Sequence, residues 1–96
     1  MTGTPPDGEI SPDYRTQTKQ CFENIFMVLE QADMNFTNVV EMTSYHVDIE
    51  RHFDSFKSIR SHYVISPYPA WTAIEVSRLI NPLALIEVRV IASATS

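Results

Sequence analysis

Apolar residues recur at three- and four-residue steps early in the chain: Phe22, Ile25, Phe26, Leu29 and Ala32 mark one face of an amphipathic helix. Gln17, Gln20, Glu23 and Gln31 fall between them, and the pattern predicts a helix over about residues 13 to 32. Ser11 is placed to cap it, Pro12 suits its first position, and Asp33 lies near its end. Val39 to Val47 is rich in β-branched and aromatic residues and reads as a strand. It lacks a polar face, since Val40 and Met42 alternate with Val39, Tyr45 and Val47, so both its sides require cover. Helices can cover one; in so short a chain the other calls for a second subunit. Ile49, Phe53, Phe56, Ile59 or Arg60, and Tyr63 then outline a second helix, with Asp48 as its expected cap and Pro67 and Pro69 as its stop. Two strands are predicted after it, Ala70–Leu79 and Ala84–Ala92, around the turn Asn81-Pro82. Their even positions (Thr72, Ile74, Val76; Ala84, Ile86, Val88, Val90, Ala92) are the apolar ones and should face the helices.

The order α-β-α-β-β defines an α+β, two-layer α/β sandwich. The first strand is expected to reach a parallel neighbour through the second helix, and the last two strands to pair as an antiparallel hairpin. Three strands are few for two helices, so part of the sheet is expected from elsewhere.

At 96 residues the chain is one domain, 1–96, with residues 1–11 as a Pro- and Gly-containing loop. Seven Lys plus Arg against twelve Asp plus Glu give a net charge of -5, which offers no clustered cations for nucleic acid or an anionic membrane. No apolar run approaches the ~20 residues of a membrane span. The one cysteine, Cys21, has no internal partner, which fits a reducing, cytoplasmic setting. Beside the apolar stripe, it reads as a small core residue and not a nucleophile.

With the helices on the even side, Trp71, Glu75, Ser77, Glu87 and Arg89 are expected together on the opposite side of the sheet. Glu87 and Arg89 stand within ion-pair range there, where an exposed salt bridge is worth at most about 1 kcal/mol. In an intersubunit cleft Glu87 would serve as a general acid/base or water-positioning carboxylate, since partial desolvation brings a carboxyl toward the range useful for proton transfer. His46, His52 and His62 match no metal-ligand spacing and read as surface or satisfied histidines; no metal and no cofactor is implied. Lys57, Arg60 and His62 read as a solvated helix face.

Taken together, these segments resemble the reactive intermediate deaminase (RidA, YjgF-type, L-PSP endoribonuclease-like) family. The resemblance runs over about residues 3 to 92: Pro6-Asp7-Gly8-Glu9, Gln17-Thr18-Lys19-Gln20 and Asn24-Ile25; Val40-Glu41-Met42-Thr43 and Val47-Asp48-Ile49; Pro69-Ala70, Ile74-Glu75-Val76-Ser77-Arg78-Leu79, Ile86-Glu87-Val88 and Ile91-Ala92. It implies a chorismate-mutase-like (bacillus type) fold, assembled as a homotrimer with small-molecule sites between subunits. It also implies hydrolysis of enamines or imines to a carbonyl compound and ammonia. In such proteins an arginine after Pro-Ala clamps the substrate carboxylate and a glutamate on the last strand positions water.

Carried over by position, the glutamate is Glu87 and the arginine position holds Trp71, which has a flat apolar ring and one N–H donor. A family asparagine on the second helix falls near Lys57, with Arg60 one turn later; either could supply the lost positive charge. The family's opening β-hairpin has no counterpart before Met1-Thr2-Gly3, as a truncation or an internal start would give, and leaves an uncovered sheet edge. Three readings follow: an imine deaminase, a non-catalytic small-molecule-binding homotrimer, and, least favoured by the charge, a ribonuclease.

Overall fold

The computed structural model describes residues 1–94. Asp13 caps the first helix, α1 (Tyr14–Gln31), its carboxylate accepting from the Thr16 amide at 3.0 Å and the Thr16 hydroxyl at 2.7 Å. Ser11 is not the cap; its hydroxyl accepts from the Asp13 amide and sets the approach. The buried stripe is Tyr14, Gln17, Thr18, Cys21, Phe22, Ile25 and Leu29. Gln17 therefore points inward, against its expected place on the polar face. Its amide nitrogen donates to the carbonyls of Ser11 and Leu83, and its amide oxygen accepts from the Leu85 amide at 2.9 Å. A fully satisfied amide of this kind costs little to bury.

A short 3₁₀ turn (Phe36–Asn38) leads to β1 (Val39–Val47), α2 (Ile49–Tyr63), β2 (Ala70–Val76) and β3 (Ile86–Ala92). Asp48 does not cap α2 through its side chain; it sits in the left-handed region at φ 58°, and the Glu75 carboxylate accepts from the Ile49 amide instead. The sheet order is β2-β1-β3, with β1 parallel to β2 and antiparallel to β3. The expected hairpin between the last two strands does not form. Residues 77–85 are long enough to carry the chain past β1, which takes the centre, as the doubly apolar strand does in a sheet covered on both faces.

Both helices lie on one face. Phe22 joins the two helices, its ring 5.7 Å from Phe56 and 5.1 Å from Tyr63 on α2. On β3 the even positions Ile86 and Val88 face the helices, as the alternation predicts. On β2 the expectation is reversed. The register sets Trp71 beside Met42 and Glu75 beside His46, so the odd positions face the helices. Thr72, Ile74 and Val76 then join Thr43, Tyr45 and Val47 on the outer face, together with Glu87 and Arg89.

The outer edge of β3 is partly covered. The N-terminal ammonium donates to the Val88 carbonyl at 2.7 Å, and the Val88 amide donates back to the Met1 carbonyl at 2.8 Å. Among the described residues no helix is long and apolar enough to cross a membrane.

Candidate functional site

The first-named site residues separate into two groups. Glu87 lies half-buried on the outer sheet face opposite Tyr45, with Arg89 opposite Thr43. Among the described residues none covers the apolar side chains around them; Ile74 and Ile91 are each 40% exposed. Glu87 and Arg89 form no ion pair, and among the described residues the one salt bridge is Lys57 with Asp54, at 3.7 Å. Trp71, expected beside them, stands on the helix side.

There Trp71 anchors a buried polar chain that the sequence reading missed. Its indole N–H donates to Ser44 Oγ at 2.9 Å, and Ser44 Oγ lies 2.8 Å from His46 Nε2. His46 Nδ1 makes a long 3.4 Å contact with the Tyr14 hydroxyl, and the Tyr14 ring stacks on His52 at 4.1 Å. Ser44 and His46 are fully buried, and burial first, with the neighbouring His52 second, pulls the His46 pKa down to about 4. The ring is therefore neutral near pH 7. An indole nitrogen can only donate, so Ser44 Oγ accepts from it, and its second lone pair or its own hydrogen meets His46 Nε2. Ser44 and His46 stand two apart in a strand, on one face, which is the signal that could have found the pair.

Beyond Trp71 the same face carries cations. Phe53 stacks on the indole at 5.6 Å, the Arg60 guanidinium lies 4.1 Å from the indole centroid, and Lys57 Nζ lies 5.2 Å from the Phe53 centroid. Arg60 is therefore not on the solvated face assigned to it. Desolvation lowers its pKa, and its Nε is buried without a hydrogen-bond partner among the described residues. Cys21 is buried in the core, where loss of water pushes its thiol up to about 12, an inert state.

A two-layer α+β domain with helices on one sheet face and an uncovered, partly apolar second face is the class these elements define. The chain belongs to the RidA/RutC family: the family model described as endoribonuclease L-PSP matches residues 1–94. It is 32% identical over 80 residues to the RutC family protein YjgH of Escherichia coli, covering 82% of this chain and 61% of that protein. It is 33% identical over 76 residues to the 2-iminobutanoate/2-iminopropanoate deaminase of Bos taurus, covering 78% of this chain and 55% of that one. The chain thus spans less than two thirds of the length of both. The crystal structure of RidA from an Antarctic Psychrobacter superposes with a TM-score of 0.89 at 26% identity, covering 96% of this chain and 74% of that one. The fold is accordingly the chorismate-mutase-like fold of that family.

Proposed function

We propose that the protein hydrolyses reactive imines to a carbonyl compound and ammonia in a cleft between copies of itself assembled as a homotrimer. The observation that carries this is the position of Glu87, half-buried on a sheet face that its own chain leaves uncovered. A neighbouring copy on that face would shut out water, and Glu87 would hold the one water that attacks the C=N carbon. The water oxygen bonds to that carbon as the C=N π pair moves to nitrogen and a water proton passes by way of Glu87 to that nitrogen; the adduct's hydroxyl proton then goes the same way, C=O forms, and the C–N bond breaks to release ammonia. The name of the bovine relative favours this chemistry. The buried, inert Cys21 fits a reducing, cytoplasmic setting.

The test is ammonia release from enzymatically generated 2-iminopropanoate. Release above the spontaneous rate, lost in Glu87→Gln, supports the reading; no release, or full release in Glu87→Gln, overturns it. Trp71 at the position of the family's arginine favours a second reading, a homotrimer that binds a small molecule without turning it over. Activity that arises only in Trp71→Arg would select that reading.

A further inference from the structure

The seam between α1 and α2 opens into a groove of about 320 Å³ lined by Arg15, Lys19, Ile59, His62 and Tyr63. Arg15 and Lys19 stand one turn apart on α1, and like charges so placed disfavour a helix unless an anion offsets them. Among the described residues neither has a carboxylate within 4.0 Å, in a chain with twelve Asp plus Glu against seven Lys plus Arg. Two acids close to them in sequence are held by other groups: Asp13 accepts from Thr16, and Glu23 meets the Tyr63 hydroxyl.

The donors are set in place by the helices themselves. Arg15 Nη1 donates to Ser55 Oγ on α2 at 3.2 Å, which ties the guanidinium to the seam and uses one of its five N–H groups. His62 Nδ1 lies 2.9 Å from the Ser58 carbonyl oxygen; a carbonyl can only accept, so Nδ1 carries the hydrogen and Nε2 is the atom left over. Buried Ile59 and the Tyr63 ring, stacked on Phe22 at 5.1 Å, supply an apolar wall beside these cations. Groups held before a ligand arrives lose little freedom when it binds.

We propose that this groove binds small phosphomonoesters, with the phosphate held by Arg15, Lys19 and His62 and the organic part lying on Ile59 and Tyr63. A carboxylate brings one charge and two oxygens; a phosphomonoester brings about 1.5–2 negative charges and three acceptor oxygens, one for each of the three side chains. Such an anion favours the protonated His62 ring, whose Nε2 then donates. The volume is at the lower end of the ~300–1,000 Å³ of small-molecule sites, which suits one small ligand. The groove shares no residue with the cleft proposed above and is complete within one chain, so neither reading depends on the other.

Calorimetric titration of the full chain at physiological ionic strength tests this, with phenyl phosphate as the probe and inorganic phosphate and phenol as its two halves. Saturable binding of phenyl phosphate is expected, at least threefold tighter than inorganic phosphate, with none of phenol. The double variant Arg15→Gln/Lys19→Gln should weaken phenyl phosphate by about tenfold or more. Arg78→Gln, which removes a cation of the β2–β3 loop, should change it less than twofold. Should loss of the Arg15–Ser55 bond loosen the seam, Lys19→Glu decides, since it leaves that bond in place; a fivefold or greater loss is expected. No saturable binding, equal affinity for inorganic phosphate or phenol, unchanged affinity in Lys19→Glu, or an equal loss in Arg78→Gln overturns the proposal. A phosphotyrosine peptide that binds tenfold tighter than phenyl phosphate also overturns it, because the occupant is then a protein segment.

Discussion

Trp71 and Glu87 stand on opposite faces of one sheet, on the two strands that flank β1. Trp71 is level with Met42 and Glu87 with Tyr45, so two strand spacings and three residues of rise put them about 14 Å apart, with the backbone between them. In the homotrimer proposed above, a small molecule touching both would lie between two copies, taking the indole from one and the carboxylate from the next. Mixing chains tests this. Glu87→Gln and Trp71→Ala are each expected to lack deaminase activity as pure assemblies. Co-refolded at equal amounts, they should regain about a quarter of the wild-type rate, because a heterologous interface then pairs intact halves in that fraction of sites. A mixture as inactive as its components places both residues in one copy's site, or in none.

The helices were legible because their apolar stripes have the helical period and their ends carry Pro and Asp. The alternation of Ile86, Val88 and Val90 likewise gave the correct face of β3. β2 misled for a physical reason: Ile74 and Val76 are apolar, yet they face away from the helices. Alternation marks two faces without saying which one its own helices take. Trp71 was consequently grouped with Glu87. The Ser44–His46 pair stayed hidden because hydroxyl and imidazole groups between apolar residues usually mark a solvated face. Their partners lie far off in sequence, Trp71 27 residues from Ser44 and Tyr14 32 residues from His46.

Removing that hydroxyl should be felt at both ends. Ser44→Ala leaves the Trp71 N–H and the His46 ring without their partner in a dry site, at a cost of about 1–3 kcal/mol. Urea unfolding should show the midpoint fall with an unchanged slope. Trp71→Phe in the same background removes the orphaned donor, so the double variant should lose less than the sum of the singles. Strict additivity would mean that the two groups are not coupled.

The neutral His46 ring also sets a pH dependence. Its folded pKa of about 4 lies below the usual 6.5, so the unfolded chain binds more protons throughout that window. Stability is then full above pH 6.5 and falls as pH drops toward 4, by about 2 kcal/mol between pH 7 and 5 for a shift of this size. Denaturant titrations at half-unit steps from pH 7 to 5 should give this slope in the wild type. His46→Gln, which has no proton to gain, should be flatter over the same range. Parallel profiles would assign the loss to other groups.

Gly3 is buried where the N-terminal segment passes between α1 and the β3 edge, and its missing side chain is what allows the crossing. A Cβ there would stand 2.2 Å from the Gln17 carbonyl oxygen and 2.7 Å from the Gln17 Cα. Those atoms belong to a helix backbone and cannot swing aside, so Gly3→Ala must lift the segment. The bonds at risk are both Met1–Val88 pairings and the Asn24 side-chain bonds to the Thr2 and Thr4 carbonyls. The expected loss is about 1–3 kcal/mol, as for other overpacked sites. Hydrogen exchange at the Val88 amide gives the specific readout, because that amide donates to Met1 and would be exposed on lifting. Gly8→Ala is the matched control. Gly8 sits at φ +84° with nothing within 4 Å, so its cost of about 1 kcal/mol is purely conformational and Val88 should stay protected. Equal Val88 exchange in the two variants would mean that the crossing at Gln17 does not hold the β3 edge closed.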